Sequence, residues 1–386
     1  MKRKIVGIGI CMLMFASVLS VAMPVNNNIK EMMTVCSPFT GSTETHSTSP
    51  LCQISSLLGK TVYGCNCYWI NKTLVSFNMD NPGTINNITN AVSDNFLNGG
   101  CWVNGIWWCC EWSNNSNSNI WKINPATGEM TLVGPSGVFL QGLEYDDTTG
   151  IMYGCSNVLY TIDMFTGNAT KIGFFGASNL YMIGIACDSA GNLYGEAVRY
   201  PLSGSLYSIN KTTAKANLIG DFGLIIGYAQ DMAFDKDEDK LYLAALTVNE
   251  TAGEGALYYC DHHTAECTKI GNFPTLKEID AFAIPYTSDV VLGIEIKGGL
   301  GVNAVITNTG TIDVSGFKWQ LHVKGGLFGI INKTITGTVD IKAGESQTVS
   351  TGMLFGFGGL SISARVAGFE ETATGTQLII FSMVKK

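Results

Sequence analysis

Apolar and polar residues alternate with a period of two along most of this chain, in runs of five to eight residues broken by Gly, Asn, Asp and Thr. That is the pattern of half-buried β-strands joined by tight turns. A helical repeat would bring apolar residues back every three or four positions, and none does so. The runs also repeat. LVSFNMDNPGTINNI from Leu74, IWKINPATGEMTLVG from Ile120, LYTIDMFTGNATKIG from Leu159, LYSINKTTAKANLIG from Leu206 and LYYCDHHTAECTKIG from Leu257 share one plan. Each has an apolar-aromatic strand, Asn or Asp at its fifth position, a polar turn often carrying Thr-Gly or Thr-Ala, and a second strand usually ending Ile-Gly. Their starts lie 46, 39, 47 and 51 residues apart.

A second hairpin precedes each segment, clearest as GLEYDDTTGIMYG from Gly142, GIACDSAGNLYG from Gly184 and DMAFDKDEDKLYL from Asp231. Two hairpins per unit predict a four-stranded antiparallel sheet, the blade of a β-propeller. The first unit enters at Thr61 without an inner strand of its own. Ile279 to Ile284 looks like an inner strand with no unit of its own, and it can complete the first blade. Closure of this kind leaves few open sheet edges. The expectation is an all-β chain with a five-bladed propeller over 57–286, or six blades if Cys36 to Leu58 supplies strands. The resemblance is to prokaryotic exported propellers with YVTN-like or NHL-like blades. It implies a fold and says little about function.

From Asp289 the pattern shifts to short strands separated by Gly pairs. Phe317, Trp319, Leu321 and Val323 alternate with Lys318, Gln320, His322 and Lys324, as in a strand with one buried face. Further strands are expected near Val290–Lys297, Gly301–Asn308, Thr334–Ile341, Ser346–Leu354, Leu360–Val366 and Thr376–Val384. Seven short strands in a hundred residues predict a β-sandwich over 287–386. TNTGTIDVSGFKWQLHV and GTVDIKAGESQTVS resemble the turns of CARDB-like, immunoglobulin-like domains of prokaryotic surface proteins. Such domains act as stalks or spacers, and the resemblance carries no functional residue.

The amino terminus places the chain outside the cytoplasm. Met1-Lys2-Arg3-Lys4 precedes an uncharged run from Ile5 to Val21, and Ser20 and Ala22 fit a signal-peptidase site. Residues 1–22 are expected to be a cleaved signal and 23–56 an N-terminal segment. The alternative is an uncleaved anchor, the one membrane contact the sequence suggests. Charged residues are only 14% of the chain and the net charge is −8, which excludes a partner that needs phosphate neutralisation, nucleic acid above all. Seven Asn-x-Ser/Thr sequons occur, at Asn71, Asn87, Asn114, Asn168, Asn210, Asn249 and Asn332, and are acceptors if the host glycosylates exported chains.

Twelve cysteines in an exported chain read first as disulfides. Cys260 and Cys267 stand on the two strands of one predicted hairpin and are expected to pair, and Cys36 and Cys52 are candidates to staple the N-terminal segment. Cys65, Cys109 and Cys155 recur at one position in successive units, as buried thiols or strand-to-strand bridges. No Cys-x-x-Cys or paired-His spacing indicates a metal, and no cofactor is expected. The loop Asp235 to Asp239 has calcium-like spacing but lacks the glycine and distal glutamate, so it reads as a solvated hairpin tip.

Six of the seven tryptophans fall between Trp69 and Trp121. Flat aromatic faces stack on sugars and recur at binding hot spots, which makes Trp69, Trp102, Trp108 and Trp112 candidate ligand contacts. Trp107 and Trp121 align with Tyr positions of other units and are expected in the core. Trp112, beside the polar loop Ser113 to Asn119, is the best surface candidate. The expected function is a cell-surface binding or adhesion module for a glycan or protein. The alternatives are a structural envelope component and a glycosidase or lyase using Glu144, Asp231 and Asp280 on inner strands. Carboxylates converging in an open funnel would favour the enzyme, and a packed channel would oppose it.

Overall fold

A computed structural model describes residues 59–67, 72–89, 96–112, 117–176, 180–199, 203–248, 253–274 and 278–385. They belong to one compact unit spanning 50–386. The described chain is almost entirely antiparallel β-sheet, and its one helical element is the 3-10 turn Leu327–Gly329. Residues 1–22, expected to be a signal, the segment 23–56 with Cys36 and Cys52, Trp69, and the sequons at Asn71, Asn114 and Asn249 lie outside the described residues. The other sequon asparagines, Asn87, Asn168, Asn210 and Asn332, are exposed.

The repeated fifth-position Asn or Asp makes the outer hairpin of each unit. Its side-chain oxygen accepts backbone N–H groups two and three residues on, an Asx-turn that starts the reversal. Asn124 bonds Ala126 and Thr127 at 2.9 and 3.3 Å, Asp163 bonds Phe165 and Thr166 at 2.9 Å each, and Asn210 bonds Thr212 and Thr213 at 3.0 and 2.9 Å. The residue after the conserved-looking Thr is then left-handed, with φ +72° at Gly128, +81° at Gly167, +62° at Ala214 and +67° at Ala265. Glycine adopts that conformation without strain, whereas for alanine, with its Cβ, it costs about 1–2 kcal/mol. In the alanine cases the methyl groups are buried against the neighbouring unit at Gly173 and Gly220. Asp163→Ala removes three hydrogen bonds, counting that from the Thr166 hydroxyl. It is expected to cost about 2 kcal/mol, read from the urea midpoint at unchanged slope.

Four sheets form the propeller-like half. Leu97–Val103, Ile106–Glu111, Asn119–Ile123 and Met130–Pro135 make one, and Gly142–Asp146, Ile151–Cys155, Val158–Ile162 and Ala169–Phe174 another. A seven-stranded sheet joins two more repeats through the long strand Ala216–Asp235, which is outermost in one and innermost in the next. The remaining sheet holds Thr61–Asn66, Thr73–Asn78 and Asn81–Asn87, and its innermost strand is Ile279–Ala283 from the far end of the repeat region, with Tyr63 opposite Ala283. The innermost strands neighbour one another in a closed order, Ile279–Ala283 against Leu97–Val103, then Gly142–Asp146, Met182–Cys187, the end of Ala216–Asp235, and back. One apolar core fills each space between adjacent units.

At the centre, glycine lets these strands touch. A Cβ on Gly99 would sit 2.6 Å from Gly142 Cα, one on Gly142 would sit 3.1 Å from Gly184 Cα, and one on Gly100 would overlap the carbonyl of Ala281. The axis is packed at this level.

Residues from Leu292 onward form a three-stranded and a six-stranded sheet around one core. Phe317, Trp319, Leu321 and Val323 are buried and Lys318 and Lys324 exposed, as the alternation requires. Two boundaries differ from expectation. The run near Thr376–Val384 divides into the end of Phe369–Ile379 and a separate strand Phe381–Lys385. The polar stretch Phe369–Thr374 is strand because it pairs across Gly356–Val366, a partnership its own composition does not announce.

Candidate functional site

Because successive strands run antiparallel, each unit has two ends. The short turns inside the hairpins gather at one end and the longer connections at the other. The turn end is stitched together. Asp239 accepts the backbone N–H and hydroxyl of Ser189 at 3.0 and 2.9 Å, Lys211 reaches Asp146 at 2.6 Å, and Lys60 pairs with Asp235 and, at 2.7 Å, with Asp237. The carboxylates of the acidic loop thus serve neighbouring turns, and Lys240 holds Glu238 at 2.7 Å. Among the described residues no cluster of His, Cys, Asp or Glu is arranged to hold a metal ion. The turn end also meets the C-terminal half: the Tyr145 hydroxyl donates to Ala367 O at 3.1 Å and Lys122 pairs with Glu370 at 3.1 Å.

On the loop end three connections bring aromatic rings together. Trp112 follows the last residue of Ile106–Glu111, and its N–H donates to Phe96 O at 2.8 Å, which ties it to the entry of the inner strand. Its ring stacks on Phe96, with centroids 5.2 Å apart and planes 12° apart, and meets Phe139 edge-on at 6.5 Å. Phe139 is held from both sides. Ser118 N donates to Val138 O at 2.8 Å, and Leu140 N donates to Ser118 Oγ at 3.0 Å. Buried Asn98 donates to Leu140 O and to Gln141 Oε1 at 2.8 and 2.9 Å. Tyr181 lies close by, 37% exposed, and burial raises its phenol above the ordinary pKa. Phe96, Trp112, Phe139 and Gln141 are all half-buried. Among the described residues the acid beside them is Glu111, which accepts from Asn119 Nδ2 at 2.8 Å and Trp121 Nε1 at 3.1 Å. The arrangement is a firm, partly exposed aromatic row with amide and phenol groups at one end, suited to stacking and hydrogen bonding rather than charge pairing.

Two of the tryptophan expectations are corrected. Trp108 is 1% exposed in the core between units, with Lys122 Nζ 5.0 Å from its ring centre and Arg365 and Glu370 closing over it. It offers no free face. Trp102 stands beside the turn Asn104-Gly105, where its ring stacks on Tyr63 at 5.5 Å and its carbonyl accepts from Tyr286 at 3.3 Å. Strand direction therefore puts it at the opposite end of its unit from Trp112. Trp107 is fully buried, its Nε1 donating to Ala281 O at 3.0 Å.

Glu144, Asp231 and Asp280 do lie on innermost strands, and all are buried. Each is occupied by the protein. Lys236 reaches Glu144 at 3.3 Å and Asp147 at 3.2 Å, while burial pushes Glu144 up to about 7. Asp231 accepts three backbone N–H groups, from Gly100 at 3.0 Å, Phe282 at 2.8 Å and Met232 at 3.0 Å. The sequence reading missed a fourth acid, Glu196 on Leu193–Arg199. It is fully buried, neither oxygen has a hydrogen-bond partner among the described residues, and burial pushes it up to about 8. A Cβ on Gly184 would lie 3.2 Å from Asp231 Oδ1 and 3.3 Å from Glu196 Oε2, so the two carboxyls are no more than about 6.5 Å apart. They converge, but inside the packed axis.

Cys260 and Cys267 form a disulfide between directly paired positions. Cys65, Cys109 and Cys155 occupy the second strands of successive units as fully buried free thiols. Burial pushes the thiols of Cys109 and Cys155 well up, away from the nucleophilic thiolate.

No family model and no curated protein matches the chain. Solved structures do. A putative exo-beta-1,3-galactanase from Bifidobacterium bifidum s17 is 8% identical over 54% of this chain and 86% of its own, with a TM-score of 0.39. An engineered GH43 glycoside hydrolase with endo-xylanase and exo-arabinofuranosidase activity is 9% identical over 85% and 89%, at 0.37. A prolyl endopeptidase is 11% identical over 62% and 35%, at 0.30.

Proposed function

We propose that this is an exported, non-catalytic glycan-binding protein: a five-bladed propeller that presents its loop end to carbohydrate and is carried on an immunoglobulin-like sandwich. The observation that supports it is the row Phe96, Trp112, Phe139, with Gln141 and Tyr181 beside it, on the end of the units that the C-terminal half does not cover. Sugar rings offer apolar C–H faces to aromatic rings and hydroxyls to amides, and the chain as a whole carries few charges, which suits a neutral polysaccharide. Export rests on the amino-terminal pattern, and the blade and stalk resemblances rest on the quoted motifs. A glycan array with the purified chain should give a restricted set of ligands, and Trp112→Ala should weaken the strongest by about thirtyfold, the scale of a hot-spot truncation. Unchanged binding would remove the row from the site.

A second reading, a glycoside hydrolase, is favoured by one feature: Glu196 lies within about 6.5 Å of Asp231 and is pushed up to about 8, the state of a general acid. We rank it second because both side chains are 0% exposed and inner-strand glycines close the axis around them.

A further inference from the structure

The end of the C-terminal half farthest from the propeller is apolar and exposed. Its propeller contacts are at the turn Ala367-Gly368, and the strand Gly356–Val366 runs away from that turn for about 33 Å at the usual rise per residue. At its far end a single cross-strand row, Phe357 opposite Leu378, Leu378 opposite Phe381 and Phe381 opposite Leu300, faces solvent. These four residues are between 45 and 55% exposed, and Phe328 and Phe355 in the adjoining loops are 92 and 68% exposed. The segments that build this tip, 298–302, 325–332, 346–360 and 375–384, contain no charged residue. An apolar patch of this size on an exported protein marks an interaction surface.

What surrounds the tip says what it meets. Four residues back from Leu378, about 13 Å along the strand, a second row crosses the same solvent face: Lys385 opposite Thr374, Thr374 opposite Ser361, Ser361 opposite Lys324. Both lysines are exposed. Lys297 and Lys333 stand at the same level; of the acids there, Glu295 is held by Lys297 at 2.9 Å, and Glu371 lines the same pocket. Glu370 lies at the propeller end, paired with Arg365, and Asp340 is engaged there by Ser315 and Gly316. The half-molecule thus has an uncharged apolar tip, a lysine-rich collar and a base of mixed charge.

We propose that this tip inserts into the interface of a lipid bilayer carrying anionic head groups. Apolar side chains penetrate such an interface by about 5–10 Å, and lysines set just behind them extend to the phosphates. A second copy of the chain is a poorer occupant, since tip-to-tip contact would bring two lysine collars together.

The test is vesicle flotation of the chain from Met23 onward, which keeps the whole compact unit and omits the apolar run Ile5 to Val21. The protein should float with phosphatidylglycerol-containing vesicles and much less with pure phosphatidylcholine. Phe328→Ser with Phe357→Ser should lower partitioning at least tenfold with the fold retained, as read from an unchanged far-UV circular dichroism spectrum, since Phe328 is 92% and Phe357 54% exposed. Lys324→Gln with Lys385→Gln should lower binding to the anionic vesicles about thirtyfold. Absence of flotation with either lipid, or flotation that the phenylalanine changes leave intact, would overturn the proposal. So would a concentration-dependent dimer in sedimentation that those changes dissolve, since a second copy would then own the tip.

Discussion

Asp231→Ala is expected to destabilise the fold by about 4 kcal/mol. Its two oxygens accept N–H groups from three different innermost strands: Gly100 in one unit, Phe282 on the closing strand and Met232 on its own strand. Each donor is buried at the axis, away from bulk water. An abandoned buried N–H costs about 1–3 kcal/mol, and three of them together with the small cavity reach the upper range of single substitutions. Asp231→Asn keeps the shape and one acceptor oxygen and should lose about half as much. Urea unfolding separates the two variants. Equal, small losses in both would mean that the carboxyl is not what joins the ring.

The second large effect is a pH slope. Burial holds Glu196 at about 8 against an ordinary value of 4.5, so the folded chain keeps a proton that the unfolded chain has released. The folded state is therefore favoured at low pH, and that advantage is lost as pH rises from about 4.5 through 8. Between pH 5 and pH 8 the loss amounts to about 3 to 4 kcal/mol. Glu196→Gln cannot ionise and should abolish this part of the slope, leaving the protein more stable than the wild type at pH 8. Glu144, pushed up to about 7, contributes a smaller slope of the same sign. Unfolding titrations at pH 5, 6.5 and 8 measure the difference directly. A full wild-type slope in Glu196→Gln would show that another group carries it.

Much of the fold could be read from the sequence because each unit repeats its own turn chemistry. The Asn or Asp at position five and the Thr-Gly or Thr-Ala that follows are local hydrogen-bonding and backbone requirements, met within four residues of chain. The closing role of Ile279 to Ile284 was legible for a different reason: the first unit lacked an inner strand and the last had one to spare. The pairing of Cys260 with Cys267 followed from their places on one hairpin.

The site was only partly legible. Counting tryptophans along the chain gathers Trp102, Trp107, Trp108 and Trp112 into one cluster, but a strand rises about 3.3 Å per residue, so Trp112 stands some 16 Å from the turn that holds Trp102 and Trp107. Phe96 and Phe139 reach Trp112 from separate connections, and nothing in either segment announces the meeting. Glu196 is a lone acid with no counterpart in the other units, and only the burial of its strand on both sides gives it importance. The apolar tip was hidden as well, because its phenylalanines sit among glycines that read simply as turns.

The central claim, recognition of a glycan by the loop end without hydrolysis, is tested most directly by following one array-selected oligosaccharide with the wild-type chain, Trp112→Ala and Glu196→Gln. Binding is measured by calorimetry and the sugar is examined afterwards by mass spectrometry. The account predicts that the wild type and Glu196→Gln bind alike, that Trp112→Ala binds about thirtyfold more weakly, and that the sugar is recovered intact from all three. Cleaved sugar from the wild type, abolished in Glu196→Gln, would contradict it.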